Sequence, residues 1–302
     1  MKGTELLAPA RDYEIGKAAI DAGADAVYIG APQFGARSRA GNPLSEIAAL
    51  TAYAHTYWAR VYVTVNTLLF DEELPEAVDL IRDLYGIGVD AVIVQDVGLL
   101  EVELPPVPLI ASTQMHNATP KKVKFLEDVG FGRAILAREL TLDEIRQIRA
   151  ATETIELEAF VHGALCVSYS GQCSMSYAVG GRSGNRGECA QPCRRRYDLV
   201  DGSGQVLEQG LHLLSLRDMN RSDALGDLLD AGVTSFKIEG RLKDQAYVTN
   251  VVSYYRRRLD EALEARGMER SSSGRSEINV TPDVNKTFNR GYTSYFLHGR
   301  EA

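Results

Sequence analysis

The sequence predicts a (β/α)8 barrel of the TIM type, in a distorted form, and three observations point there. Eight short apolar runs of β type recur along the chain, and amphipathic stretches with helical spacing lie between most of them. One phrase, a helix closing on glycine before an apolar strand, also repeats: DAGADAVYIG (21–30), GIGVDAVIVQD (86–96) and DAGVTSFKIEG (230–240). Glycine tolerates the left-handed cap conformation there, and a continuous apolar run suits a parallel strand buried on both faces.

The predicted strands are ELLAPA (5–10), DAVYIG (25–30), RVYVTVN (60–66), DAVIVQD (90–96), PLIAST (108–113), RAILA (133–137), IELEAFVHG (155–163) and SFKIEG (235–240). The helical patterns between them are DYEIGKAAIDAG, PLSEIAALTAYAHTY, LPEAVDLIRDLYGIG, TPKKVKFLEDVG and TLDEIRQIRAAT. Parallel βα units are the economical reading. After the eighth strand, Val248, Val252, Tyr255, Leu259 and Ala262 follow a spacing of three or four and mark a closing helix.

Two segments break the rhythm. Residues 164–212, directly after strand seven, have no helical period and are rich in Gly, Ser, Arg and Cys, which predicts a loop at the C-terminal rim of the barrel. The stretch RSSSGRSEIN (270–279) reads as a polar flexible linker before VTPDVNKTFNRGYTSYFLHGREA. The expected organisation is therefore a barrel over 1–268 that includes the insertion, then a linker and C-terminal extension over 269–302 that leads into a further domain.

With 33 basic and 41 acidic residues, a net charge of -8 and 45% hydrophobic residues, the composition is that of a soluble globular protein rather than a disordered one. The first residues lack the apolar core of a signal peptide, and no apolar run reaches the ~18 residues of a membrane span. A cytoplasmic protein is expected, and in a reducing compartment clustered cysteines read as metal ligands or reactive thiols.

All four cysteines lie in HGALCVSYSGQCSMSYAVGGRSGNRGECAQPCRRRY (162–197): Cys166, Cys173, Cys189 and Cys193. Thiolates are soft ligands, and four on one glycine-rich loop can wrap an iron-sulfur cluster or a zinc ion. The pairs are wider than the two-residue spacing usual in zinc fingers, which leans toward a cluster, but spacing alone leaves both open.

This stretch, together with ELLAPA, GADAVYIG, SFKIEGRLK and FNRGYT, resembles peptidase family U32, the collagenase-like proteins, over most of the chain. The resemblance implies a barrel-like catalytic module and, in members with this four-cysteine pattern, a 4Fe-4S cluster held here by Cys166, Cys173, Cys189 and Cys193. Several such members hydroxylate RNA pyrimidines at C5, either the wobble uridine of tRNA or a cytidine of large-subunit rRNA, with prephenate implicated. RNA and a small carboxylic acid are thus the implied partners.

Other residues fit that chemistry. Arg182, Arg186, Arg194, Arg195 and Arg196 crowd the cysteine loop with only Glu188 opposing them, a positive patch suited to a phosphate backbone; pairing with barrel acids is the alternative. His162 ends strand seven beside the first cysteine, where an imidazole can move a proton. Lys237, Glu239 and Arg241 alternate along strand eight and its exit, are costly to bury unpaired, and predict a polar barrel mouth able to grip carboxylates. Asn66, Gln95, Asp96, Thr113, Gln114, Arg138 and Glu139 fall at strand ends around the same mouth, and Arg290 and Tyr292 of the tail suit anion binding or base stacking. His55, His116, His212 and His298 show no metal-ligand spacing.

Two further readings remain at this level. A peptidase is one, although there is no His-Glu-x-x-His helix and Ser183 lacks the second glycine of a nucleophile elbow. A non-catalytic, metal-stabilised RNA-binding module is the other.

Overall fold

The computed structural model describes residues 3–37, 40–277 and 281–300. Eight parallel strands close into a barrel: β1 (Glu5–Pro9), β2 (Ala26–Gly30), β3 (Arg60–Val65), β4 (Ala91–Val94), β5 (Leu109–Ala111), β6 (Arg133–Ile135), β7 (Glu156–Gly163) and β11 (Val233–Ile238). Closure comes from β11, which pairs with β1 through Leu6 and Phe236 and with β7 through Lys237 and Phe160. All eight expected strands are present. Their apolar character has a simple cause, since one face meets the barrel interior and the other meets helices.

The outer layer is α1 (Tyr13–Asp21), α2 (Leu44–His55), α3 (Leu74–Ile87), α4 (Pro120–Asp128), α5 (Leu142–Ala150), α7 (Leu225–Asp230) and α8 (Gln245–Glu264). Local chemistry sets their ends. Asp12, Thr119 and Asp244 cap α1, α4 and α8 through side-chain oxygens, and Thr141 with Glu144 forms a reciprocal capping box on α5. Gly88 ends α3 in the left-handed conformation at φ 88°. The distortion lies in two units. A short 3-10 turn (Val97–Leu100) replaces the helix between β4 and β5, and a long excursion separates β7 from β11.

That excursion is the cysteine loop, and it is more ordered than its composition predicts. It contains α6 (Met175–Gly180), an antiparallel hairpin of β8 (Tyr197–Val200) and β9 (Val206–Leu211), and β10 (Asp218–Asn220), which runs antiparallel to β7.

The tail departs from expectation as well. Arg270 and Ser272 both bond Asp25, and the amide of Ser273 bonds the carbonyl of Tyr57, so residues 270–273 are fastened to the N-terminal end of the barrel rather than forming a flexible linker. Ile278 and Asn279 of that expected linker lie outside the described residues. Farther on, β12 (Tyr292–Thr293) pairs with β10, and the amide of Leu142 bonds the carbonyl of the fully buried Leu297. The extension is a strap across the barrel. No helix among the described residues is long and apolar enough to cross a membrane.

Candidate active site

The barrel interior is layered by charge. At its N-terminal end Glu5, Arg133, Glu158 and Ser235 form a buried network, with Arg133 Nη1 2.6 Å from Glu5 and 3.1 Å from Glu158. Tyr62 donates its hydroxyl to Glu5. Burial opposes ionisation of Glu5, but Arg133 outweighs it and holds the carboxyl below its ordinary range. Above this network Lys237 Nζ sits 2.7 Å from Glu158 and 4.2 Å from the Tyr28 ring centroid.

The next layer opens toward the C-terminal rim as a pocket with about 480 Å³ of empty space, part of it continuous with solvent. Lys237, Glu239 and Arg241 all line it, as expected, beside Asn66, Thr113, Gln114 and Arg138. Gln95 bonds the Gln114 carbonyl from below, while Asp96 caps the 3-10 turn after β4 and holds the Leu69 amide.

The three charged residues of β11 and its exit differ in their partners. Lys237 is committed to Glu158, and Glu239 to Arg138 at 2.9 Å. Arg138 itself lies 3.9 Å over the Phe160 ring. Burial disfavours the Glu239 carboxylate, yet Arg138, Arg37, Arg241 and Lys237 together hold its pKa below the ordinary value. Arg241 is 6% exposed and donates to Thr64 Oγ1 at 2.6 Å; among the described residues no carboxylate pairs with it directly. Burial pulls its pKa down from the usual guanidinium value. Arg37, which the sequence did not single out, also lines the pocket and bonds only the neighbouring carbonyl of Ala36 among the described residues.

His162 does not reach this pocket. A register shift falls between the pairs Lys237 with Phe160 and Ile238 with His162, so Phe160 points inward while His162 turns to the helix side. There it packs against Tyr247, Tyr255 and Tyr292, with Nδ1 3.3 Å from the Tyr255 hydroxyl. Burial, with the charge of Lys243, pushes its pKa down to about 3. The imidazole is thus a neutral packing group in this geometry, away from the barrel mouth.

The cysteine loop forms the roof, stapled to several strand ends. Ser170 donates its amide and hydroxyl to Glu139, and His116 Nδ1 meets the Ser170 carbonyl at 3.1 Å. A side chain at Gly171 would collide with the Gln114 carbonyl at 2.0 Å, which accounts for glycine at that crossing. On the far side Arg186 grips Glu73 at 2.6 Å and the Leu68 carbonyl at 2.7 Å.

The five loop arginines therefore divide. Arg186 and Arg194 are structural, Arg194 donating to Ser215 and to the carbonyls of Leu216 and Leu165. Arg182, Arg195 and Arg196 are exposed and have no side-chain partner among the described residues. In the tail, Arg290 pairs with Asp218 at 2.9 Å, and Tyr292 turns its hydroxyl to the Val284 carbonyl.

All four cysteines are free and half-buried. Burial, joined by the charges of Cys166, Cys189 and Cys173 and opposed by Arg194, pushes the Cys193 thiol up. The amide of Gln191 already points at Cys189 Sγ from 3.4 Å. Among the described residues, no three His, Cys, Asp or Glu side chains are arranged as ligands of one ion. The donor set itself, four uncrosslinked thiols with a backbone amide aimed at one sulfur, fits a thiolate-ligated centre.

Comparison with known proteins decides the family. The model of peptidase family U32 matches residues 11–302. The chain belongs to family U32. It is 55% identical over 299 residues to the 23S rRNA 5-hydroxycytidine C2501 synthase of Escherichia coli K12, covering 99% of this chain and 46% of that protein. It is 38% identical over 269 residues to tRNA hydroxylation protein P1 of Bacillus subtilis 168, covering 86% of this chain and 64% of that protein. The chain thus spans roughly half to two thirds of these relatives. The solved U32 peptidase Mk0906 superposes with a TM-score of 0.50 at 15% identity, over 80% of this chain and 94% of that one, which supports the shared fold.

Among the described residues no serine hydroxyl or cysteine thiol is hydrogen-bonded to a histidine ring. Ser170 Oγ, the serine nearest such a role, donates to Glu139 instead.

Proposed function

We propose that this U32 chain is the catalytic module of an RNA hydroxylase that replaces the C5 hydrogen of a pyrimidine with a hydroxyl group. The observation that carries the proposal is a conjunction. A four-thiol loop roofs a pocket containing a buried arginine that has no carboxylate partner among the described residues, in a chain 55% identical to a protein named for cytidine hydroxylation.

Hydroxylation removes two electrons from the base, so an oxidant must enter the site. The pocket suits a small dicarboxylic acid such as prephenate. Arg37, Arg138, Lys237 and Arg241 face it, Glu239 and Glu158 answer two of those charges, and two positive charges remain for a dianion. Cys166, Cys173, Cys189 and Cys193 would hold a 4Fe-4S cluster. Such a cluster supplies electron transfer or a Lewis-acidic iron when bound. Arg182, Arg195 and Arg196, exposed on the cysteine loop, would meet RNA phosphates and help deliver a single-stranded or flipped base to the mouth. This assignment implies a cytoplasmic enzyme.

Nucleoside mass spectrometry of total RNA from a strain lacking the gene tests the reading. One hydroxylated pyrimidine should vanish and return on complementation; an unchanged nucleoside profile overturns the proposal. Anaerobically purified protein should show a broad visible charge-transfer band that Cys189→Ser removes, whereas a colourless preparation with stoichiometric zinc refutes the cluster.

A further inference from the structure

The rim carries a second feature that the pocket does not use. Phe288, in the tail strap, is 64% exposed and contributes almost nothing to the core. Cations from two separate segments nevertheless converge on its ring: Lys243 Nζ lies 4.6 Å from the centroid and Arg290 Cζ lies 5.0 Å away. Lys243 Nζ also lies 4.5 Å from the Tyr247 centroid, so its ammonium is held by two rings. Arg217, exposed, passes beside Gly291 of the same strap, its Cδ lying 3.7 Å from where a side chain there would begin. The anions facing this group are Asp218, already paired with Arg290, and Asp244, engaged in capping α8. Arg194 stands near enough to Arg290 for the two charges to oppose each other.

An isolated exposed phenylalanine needs no explanation. One on which cations from two separate segments converge does, because an open aromatic face with an ammonium at its side presents both elements that single-stranded nucleic acid uses. The patch and the pocket share one turn: Arg241 lines the pocket, and Lys243, two residues later, lies against Phe288.

We infer that Phe288 and Lys243, with Arg290 against the same ring, form a docking site for single-stranded RNA, in which a base flanking the target stacks on Phe288 and its phosphate meets Lys243. An aromatic face beside a basic track is the arrangement that binds single strands with little sequence preference. The turn linking Arg241 to Lys243 then sets the path by which the neighbouring base enters the pocket. The inference rests on the RNA reading above and assigns Phe288 and Lys243, which sequence reasoning missed; Tyr292, which the sequence offered for stacking, is committed to His162 and Val284.

The test compares the full chain with its Phe288→Ala variant, by fluorescence anisotropy, on a mixed-sequence RNA and an abasic strand of the same length, about 12 nucleotides. Stacking is worth ~1–3 kcal/mol per base, so Phe288→Ala should weaken binding of the base-bearing strand roughly 5- to 150-fold and leave the abasic strand unaffected. Phe288→Trp should restore the difference. Lys243→Ala should weaken both strands and reduce the salt slope by about 0.7, the loss of one phosphate contact. If the wild type binds RNA and Phe288→Ala binds it equally well, the docking site is wrong and the hydroxylase reading stands. If the wild type binds neither strand, both fall. Thermal melting of each variant within a few degrees of wild type checks folding.

Discussion

Arg241→Met separates binding from stability, because a buried arginine without a carboxylate partner is an unusual investment for a fold. In the protein as described, its guanidinium gains one short hydrogen bond, to Thr64 at 2.6 Å, and a distant ring contact, 5.6 Å from the Tyr28 centroid. A hydrogen bond to a charged group contributes about 1.5–3 kcal/mol and a cation-π contact about 0.5–2 kcal/mol. Against these stands a desolvation cost of several kcal/mol for a buried ion. The terms nearly cancel. Methionine has a similar length, forfeits the two contacts and removes the desolvation cost, while Glu239 keeps Arg138 as its partner.

The unliganded variant should therefore keep its stability to within ~2 kcal/mol. Binding behaves otherwise. Truncating one member of a desolvated, hydrogen-bonded charge pair costs about 2–5 kcal/mol, so affinity for a dicarboxylate should fall at least ~30-fold. A melting series with prephenate reads both quantities. Ligand at about 100 times its dissociation constant stabilises the wild type by ~2.7 kcal/mol, and the variant should show almost none of this while starting from a similar midpoint. RNA modification in cells should be lost. A variant that still gains stability from the acid, or one that fails to fold without it, refutes the argument that Arg241 is held in place for an anion.

Other expectations follow from the same accounting of partners. Lys237→Met should destabilise by about 3 kcal/mol or more, because it strands the fully buried Glu158 with only Arg133 and Ser235; adding Glu158→Gln should recover part of the loss in urea titrations, and full stability of the single variant would contradict the pairing. His162 has a folded pKa of about 3 against an ordinary value of 6.5, so the fold disfavours its protonated form; stability is full above pH 6.5 and declines as pH falls toward 3. Between pH 7 and pH 5 this amounts to ~2 kcal/mol, about 1.5 pH units at 1.36 each, which His162→Gln should abolish in denaturant midpoints. Arg195→Ala with Arg196→Ala should flatten the salt dependence of RNA binding by up to ~1.4 without moving the melting point, whereas Arg194→Ala should lower the melting point because it detaches the loop from Leu165, Ser215 and Leu216.

The strands were legible because parallel strands buried on both faces must be apolar throughout, and each of the eight runs became a barrel strand. Charges within those runs were legible in kind. Lys237, Glu239 and Arg241 line the pocket because a closed barrel leaves inward charges nowhere else to go. Their pairing was not legible. It depends on Glu158, whose own signal, a charge at an inward position of an apolar run, was there to be read in IELEAF, and on Arg138, directly after RAILA. His162 was misplaced for a local reason: a bulge breaks the two-residue alternation, and nothing in the composition of strand seven marks where the break falls. The hairpin of β8 and β9 escaped notice because it buries too little for burial to impose a pattern on it.

The arginines show most clearly what sequence leaves open. Five lie within 15 consecutive positions, 182–196, and composition treats them alike. Folding divides them by distant acceptors: Glu73 and the Leu68 carbonyl claim Arg186, the carbonyls of Leu165 and Leu216 claim Arg194, and no described residue claims the other three. A paired arginine sets shape, and its loss is read in stability. An unpaired one keeps its charge for a ligand, and its loss is read in binding. By that criterion the cations around the pocket that are available to anions include, among the described residues, Arg241 and Arg37 in the pocket and Arg182, Arg195 and Arg196 on the cysteine loop, with Lys243 beside Phe288. If the chain hydroxylates RNA as proposed, these are the side chains whose loss is read in binding of the acid or of RNA rather than in the fold.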